Sequence, residues 1–91
     1  MRHFIIDTDV AADDALAIIM ALQHTDSTVH GITVNCGNID FDQQVRNALY
    51  TLELVRRTDV PVHPGCRMPL QRRFRSVPEV FGSDGFSDAH F

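Results

Sequence analysis

Lysine is absent from this sequence, and all eight basic residues are arginine. The chain also lacks an apolar run of about twenty residues, so no transmembrane helix is predicted. Its N-terminal apolar run is far too short for the hydrophobic region of a secretory signal. The formal net charge is −4, which gives no electrostatic basis for binding nucleic acid or an anionic membrane. We therefore predict that neither is a partner.

Cysteine is scarce. The two thiols are Cys36 and Cys66, and their spacing is not that of a metal site. Two reduced thiols are typical of a cytoplasmic protein. The chain has 91 residues, of which 44 % are apolar and 22 % are charged. This globular composition is sufficient for one small domain with a thin core.

Short apolar runs alternate with amphipathic segments over residues 1–65. The predicted elements, in order, are the buried strand RHFIID, the helix DDALAIIMALQH, the strand Val29 to Val34, the helix DFDQQVRNALYTLELVRR and the strand DVPVHPG. This order with short connections is typical of an α/β fold, a parallel sheet with crossover helices. Asp40 is the predicted N-cap of the second helix.

Helical spacing also predicts which side chains of the two helices face the core. These are Ala15, Leu16, Ile18, Ile19 and Leu22 in the first helix, and Val45, Leu49, Leu52 and Val55 in the second.

The character of the sequence changes after Gly65. Residues 66–91 contain turn formers and an arginine cluster, and they predict a loop-rich segment. Apolar rings recur there, at Phe74, Phe81, Phe86 and Phe91, which is too many for a free tail. We predict that residues 1–91 form a single partial domain, the N-terminal part of a larger α/β domain. It is expected to pack against a further C-terminal part or to form a homo-oligomer.

Four aspartates surround the end of the first predicted strand. Asp7 and Asp9 end it, and Asp13 and Asp14 open the following helix. In a parallel α/β sheet, ligands bind beyond the carboxyl ends of the strands, and like charges crowded there repel one another unless a cation is present. An oxygen-only ligand set favours Ca²⁺ or Mg²⁺ over Zn²⁺. The simpler interpretation is that Asp13 and Asp14 only cap the helix while Asp7 and Asp9 are solvated.

The segment IIDTDVAADDALAI resembles the N-terminal motif D-x-D-x-x-x-D-D of the inosine-uridine preferring nucleoside hydrolase family. The similarity continues, in order, through ITVNCGN, VRNAL, VPVHPGCRMPL and FGSDGF. This resemblance implies a nucleoside hydrolase-like fold with a Rossmann-like N-terminal part. It implies calcium-dependent hydrolysis of the N-glycosidic bond of ribonucleosides to base and ribose.

The resemblance also implies roles for individual residues. Asp9 and Asp14 would bind Ca²⁺, and Asp9 would be the catalytic base that takes a proton from water. Asp13 and Asn38 would hold the ribose, and Asp7 would support the site from behind. The remaining calcium ligands of the family lie beyond residue 91.

The sequence departs from the family pattern in two places. Val10, Ala11 and Ala12 stand where members often have proline and glycine after the second aspartate. Phe81 stands where many members have a histidine near the base pocket. A phenylalanine can stack on a base but cannot transfer a proton, so Phe81 is a candidate for the base pocket with an altered role.

Three other functions remain open from the residues. A haloacid-dehalogenase-like phosphohydrolase also places D-x-D after its first strand, but such sites usually use a lysine. A receiver-like domain needs an aspartate after the third strand, where this chain has VHPG. A non-catalytic remnant that folds or self-associates is the third alternative.

Overall fold

The computed structural model describes residues 1–37, 39–70 and 82–86. The elements are β1 (Arg2–Thr8), α1 (Ala12–Gln23), β2 (Ser27–Val34), α2 (Phe41–Leu54) and β3 (Val62–Pro64). They match the predicted order in type and number, so the α/β prediction is confirmed. Within the described residues, neither helix has the length and apolar character needed to span a bilayer.

The three strands form one parallel sheet in the order β1-β2-β3. Thr8 pairs with Val34 at the carboxyl end of the β1–β2 ladder. One more backbone bond extends this ladder, since the N–H of Asn35 donates to the carbonyl of Thr8 at 3.0 Å. The loop after β2 is therefore held directly beside the residue that follows β1, which is Asp9.

Both helices lie on one face of the sheet, since α1 and α2 contact each other and each contacts β2. The core forms between them and the β-branched side chains of β2. Its fully buried members include Ile18, Ile32, Val34 and Leu52.

The prediction that the first strand is buried is wrong. Phe4 is 43 % exposed and Ile5 is 70 % exposed. In the described sheet β1 is an edge strand, and Ile5 points to the face opposite the helices. A continuous apolar run predicts burial on both faces, but the described elements cover only one of them.

The predicted core faces of the helices are correct in part. Ile18, Leu22 and Leu52 are buried, whereas Leu16 is 63 % exposed and Leu49 is 52 % exposed. The inner face of α2 is instead rich in polar residues, namely Gln44, Asn47 and Thr51. Their side chains bond to backbone carbonyls, which periodicity of apolar residues cannot detect.

Asp40 caps α2 as predicted. Its Oδ2 accepts a hydrogen bond from the backbone N–H of Gln43 at 3.3 Å, which satisfies one of the free N–H groups of the first turn.

Replacing this cap should weaken the fold measurably. Asp40→Ala is expected to lower the free energy of unfolding by about 1 kcal/mol, because the N–H of Gln43 loses its acceptor. Asp40→Asn keeps a good capping side chain and should stay within a few tenths of a kcal/mol of the wild type. Urea unfolding followed by circular dichroism measures both. Equal losses in the two variants would contradict the capping role.

Candidate functional site

The connection between β1 and α1 is tightly constrained. Val10 and Ala11 are completely buried, and Val10 has a φ of +34°, which is unfavourable for a β-branched residue. The N–H of Val10 donates to Thr8 Oγ1 at 3.2 Å. This connection carries Asp9 at its start and leads into Asp13 and Asp14.

Asp9 and Asp14 meet as a carboxylate pair joined by a side-chain hydrogen bond. Asp14 Oδ2 also accepts a hydrogen bond from the backbone N–H of Ala11 at 3.4 Å. Burial and the hydrogen bond with Asp9 raise the pKa of Asp14 from 3.8 to about 6, and the charges of Asp9 and Asp13 add to this rise. A divalent cation would take the place of the proton between the two carboxyl groups and stabilise the pair.

The other two aspartates have different surroundings. Asp13 is exposed at the start of α1 and acts on Asp14 through its charge. Asp7 Oδ1 accepts hydrogen bonds from Thr33 Oγ1 at 2.7 Å and from Asn35 Nδ2 at 3.2 Å. Asp7 is thus anchored to β2 and its following loop. The acidic site consists of Asp9 and Asp14 with Asp13 beside them.

The loop after β2 closes against Asp9. A Cβ atom added to Gly37 would overlap the side chain of Asp9, so any other residue there would force one of the two segments to move. The absence of a side chain at Gly37 therefore helps to define where the Asp9 carboxylate lies. Asn38, the predicted ribose ligand that follows it, lies outside the described residues, as does Phe81.

Asn47, which was not predicted from the sequence, connects the segments around the site. Its Nδ2 donates to the carbonyl of Val10 at 3.0 Å and to the carbonyl of Asp84 at 2.8 Å. Its Oδ1 accepts from Gln43 Nε2 at 2.9 Å. One buried carboxamide therefore joins α2, the β1–α1 connection and the segment 82–86. The available signal was a polar residue on the inner face of an amphipathic helix.

Two further contacts fasten these segments to each other. Gln44 Nε2 donates to the carbonyl of Asn35, which ties α2 to the loop after β2. Gly85, at a φ of +79°, packs so closely on Ile39 that a Cβ there would lie 2.7 Å from Ile39 Cδ1. The positive φ and this close contact both favour glycine at position 85.

Across the part of the chain that the structure describes, histidine, cysteine, aspartate and glutamate side chains do not gather in threes at metal-binding distance. At the carboxyl edge of the sheet, the described residues that could bind a metal are the Asp9–Asp14 pair. Its oxygen donors fit a hard cation such as Ca²⁺, which takes six to eight oxygen ligands. The pair would supply a minority of them.

A parallel sheet with an acidic pair beyond its first strand is typical of α/β proteins that bind ligands at the carboxyl edge of the sheet. Comparison with known proteins identifies the group more closely. The model of the inosine-uridine preferring nucleoside hydrolase family matches residues 4–91. The chain belongs to this family.

Individual relatives agree with this assignment. A pyrimidine-specific ribonucleoside hydrolase of Shewanella baltica is 40 % identical over 92 % of this chain and 26 % of its own length. A probable uridine nucleosidase of Arabidopsis thaliana is 38 % identical over 99 % of this chain and 29 % of its own length. The chain thus spans under a third of the length of these relatives.

Solved structures show the same similarity. An inosine-guanosine nucleoside hydrolase superposes with a TM-score of 0.89 at 41 % identity, over 100 % of this chain and 28 % of that one. A plant nucleoside hydrolase superposes with a TM-score of 0.92 at 36 % identity, over 99 % of this chain and 29 % of that one. The fold is therefore an α/β nucleoside hydrolase-like fold, which matches part of each of these larger structures.

The raised pKa of Asp14 predicts an unusual pH dependence in the presence of chelator. Because the folded protein binds this proton more tightly than the unfolded chain, stability should fall as pH rises from about 3.8 to about 6. Asp14→Asn keeps a donor toward Asp9 and cannot ionise. It should unfold at a higher temperature than the wild type above pH 6, and this difference should shrink toward pH 4. Thermal unfolding across this range measures it, and a constant difference would contradict it.

Asn47 should be intolerant of an isosteric acid. Asn47→Asp replaces the Nδ2 donor by an oxygen facing the carbonyls of Val10 and Asp84, so the free energy of unfolding is expected to fall by about 3 kcal/mol. Gln43→Ala, the matched control, removes the donor to Asn47 Oδ1 together with an exposed hydrogen bond from Arg46, and should cost about 1 kcal/mol. Urea unfolding compares the two. An Asn47→Asp variant as stable as the wild type would contradict the bridging role.

Proposed function

We propose that this chain forms the N-terminal part of the active site of a calcium-dependent ribonucleoside hydrolase. The reaction hydrolyses the N-glycosidic bond to free base and ribose. The observation that carries the proposal is the Asp9–Asp14 carboxylate pair at the carboxyl edge of a nucleoside hydrolase fold. Family membership supports the reaction class, and the relatives' names concern pyrimidine ribonucleosides, uridine, and inosine with guanosine.

In this proposal Asp9 and Asp14 hold the Ca²⁺ ion, which when bound lowers the pKa of a water molecule and orients it. The hydrogen-bonded pair supports this assignment, since burial and the hydrogen bond with Asp9 together raise the pKa of Asp14. The closeness of Gly37 to Asp9 gives this carboxylate a defined position. Ca²⁺ would replace the shared proton and relieve the repulsion.

Asp9 acts as the general base. It takes a proton from the attacking water as the water oxygen bonds to C1′ of the ribose, and the electrons of the broken glycosidic bond leave with the nucleobase. Negative charge on the neighbouring carboxylates favours the positive charge that develops on the ribosyl group. Asp13 is exposed beside the pair, where it can reach substrate hydroxyl groups.

Asp13 and Asn38 are the proposed ribose ligands, and Asp7 is a supporting residue. The two hydrogen bonds that Asp7 accepts from Thr33 and Asn35 support that role, because they brace β1 against β2 next to Asp9. Phe81 is proposed for the base pocket, where its ring would stack on the nucleobase. Another group would protonate the leaving nucleobase.

Calcium binding is the direct test. Thermal unfolding in chelator, in Ca²⁺ and in Mg²⁺ should show a rise in midpoint specific to Ca²⁺, since a ligand that binds only the folded state stabilises it by mass action. Asp9→Ala and Asp14→Ala should abolish the rise. Asp42→Asn is the matched control, because Asp42 is also acidic in the first turn of a helix but pairs with Arg67 at 2.7 Å.

Ribose release completes the test. Incubation with uridine and with inosine should release ribose in Ca²⁺ but not in chelator, and Asp9→Ala should abolish release at a calcium concentration that saturates the control. Phosphate release from phosphorylated substrates without ribose release would favour the haloacid-dehalogenase-like alternative. A cooperative unfolding transition without any calcium response would contradict the metal assignment and favour a non-catalytic remnant.

We also propose that the chain associates with itself or with a further C-terminal part through the exposed side of β1 and α1. Leu16 and Met20 are 63 % and 72 % exposed, and a cavity of about 530 Å³ between β1 and α1 is lined by Phe4, Ile6 and Met20. Contiguous apolar surface of this kind marks contact sites. This exposed apolar surface agrees with the prediction that residues 1–65 are the core of one part of a larger domain.

The cytoplasmic location stays a prediction.

A further inference from the structure

Two histidines face each other on the side of the sheet opposite the helices. His3 lies on β1, two residues before Ile5 on the same face, and His30 lies on β2. The register between the strands shifts there, because Phe4 pairs with Val29 while Ile5 pairs with Gly31. This irregularity makes His30 the extra residue of β2 and brings its ring against that of His3.

The two imidazoles are at chelating distance. His3 Nδ1 lies 2.8 Å from His30 Nε2, and the ring centroids are 5.0 Å apart with an interplanar angle of 22°. Imidazole nitrogens bind metals at roughly 2.0–2.1 Å. Two such ligands at a right angle are therefore about 2.9 Å apart, close to the observed separation of the two nitrogens. The rings meet nearly end to end in a hydrogen bond, so each exposed side chain turns to direct its nitrogen at a shared metal.

We propose that His3 and His30 form a two-imidazole site for a divalent transition-metal ion, with Cu²⁺ bound more tightly than Ni²⁺ and Zn²⁺. Imidazole suits these metals, the affinity order places Cu²⁺ first, and Cu²⁺ favours tetragonal sites in which neighbouring ligands stand at right angles. Metal binding moves the proton that joins the two nitrogens to the outer nitrogen of the ring that carries it, and water fills the other positions. Both histidines are exposed, so a metal can reach the pair from solvent.

This site is separate from the acidic one in position and in chemistry. His3 and Asp9 are six residues apart along β1 and its extension, which corresponds to about 20 Å at roughly 3.3 Å per residue. The histidine pair offers nitrogen, and the Asp9–Asp14 pair offers oxygen, which Ca²⁺ prefers. The proposal does not rest on the proposed function, and a Ca²⁺ response and a Cu²⁺ response can be lost independently.

The test is a titration of the chain with Cu²⁺ and with Ni²⁺ by calorimetry, with circular dichroism to verify the fold of each variant. His30→Ala is the decisive variant. The α-amino group of Met1 together with His3 could hold Cu²⁺ without His30. The titrations therefore use protein to which a short N-terminal extension has been added, so that this amine lies away from His3. A Cys66→Ser background removes the exposed thiol as a competing ligand.

His3→Ala and His30→Ala should each raise the Kd for Cu²⁺ at least tenfold, and the double variant should be no worse than either alone, because a chelate needs both rings. His63→Ala is the matched control, since His63 is an exposed strand histidine whose ring lies 3.5 Å from a Cβ built on Gly31 of the same sheet. Its Kd should be unchanged. The electron paramagnetic resonance spectrum of bound Cu²⁺ should show coupling to two nitrogens.

Several results would overturn the proposal. Cu²⁺ affinity that falls in His3→Ala but not in His30→Ala would assign binding to the N-terminus. Equal losses in His63→Ala would show non-specific binding by exposed histidines. Coupling to a single nitrogen would also contradict a shared site.

Discussion

The parallel ladder between β1 and β2 is the constraint on which the rest of this structure depends. Thr8 pairs with Val34, and the N–H of Asn35 extends the ladder by one bond to the carbonyl of Thr8. Because both strands end at the same edge, the chain that leaves β1 and the chain that leaves β2 must run side by side. Asp9 therefore meets Gly37, and Asp7 meets Thr33 and Asn35.

The connection that follows β1 brings two carboxylates together, and the surrounding structure keeps them close. Asp9 and Asp14 share a hydrogen bond in a partly buried setting, which raises the pKa of Asp14. The connection between them cannot relax, since Val10 is fully buried at a positive φ and its carbonyl is bound by Asn47. A site whose like charges cannot separate is one in which a cation lowers the free energy of the folded state.

In the two proposals, the sheet offers two kinds of metal ligand at its two ends and on its two sides. Carboxylate oxygens lie beyond the carboxyl end of β1, where we propose that the reaction takes place. Imidazole nitrogens gather near the amino end, on the face that the described helices leave open. The second arrangement arises from a local irregularity of pairing at His30, so it is independent of the features that define the family.

The sequence by itself determined the order of strands and helices, the cap at Asp40 and the family, because apolar periodicity, capping chemistry and the aspartate spacing are local properties. Its predictions for Asp13, Asn38 and Phe81 as site residues rest on the resemblance alone. Tertiary structure decided that Ile5 and Leu16 are exposed, that Asp7 is bound to β2, and that Asn47 joins three segments. These outcomes depend on which elements cover a surface and on contacts between residues 37 positions apart along the chain. A local pattern carries no record of such contacts, since they exist only when the sheet and helices have packed.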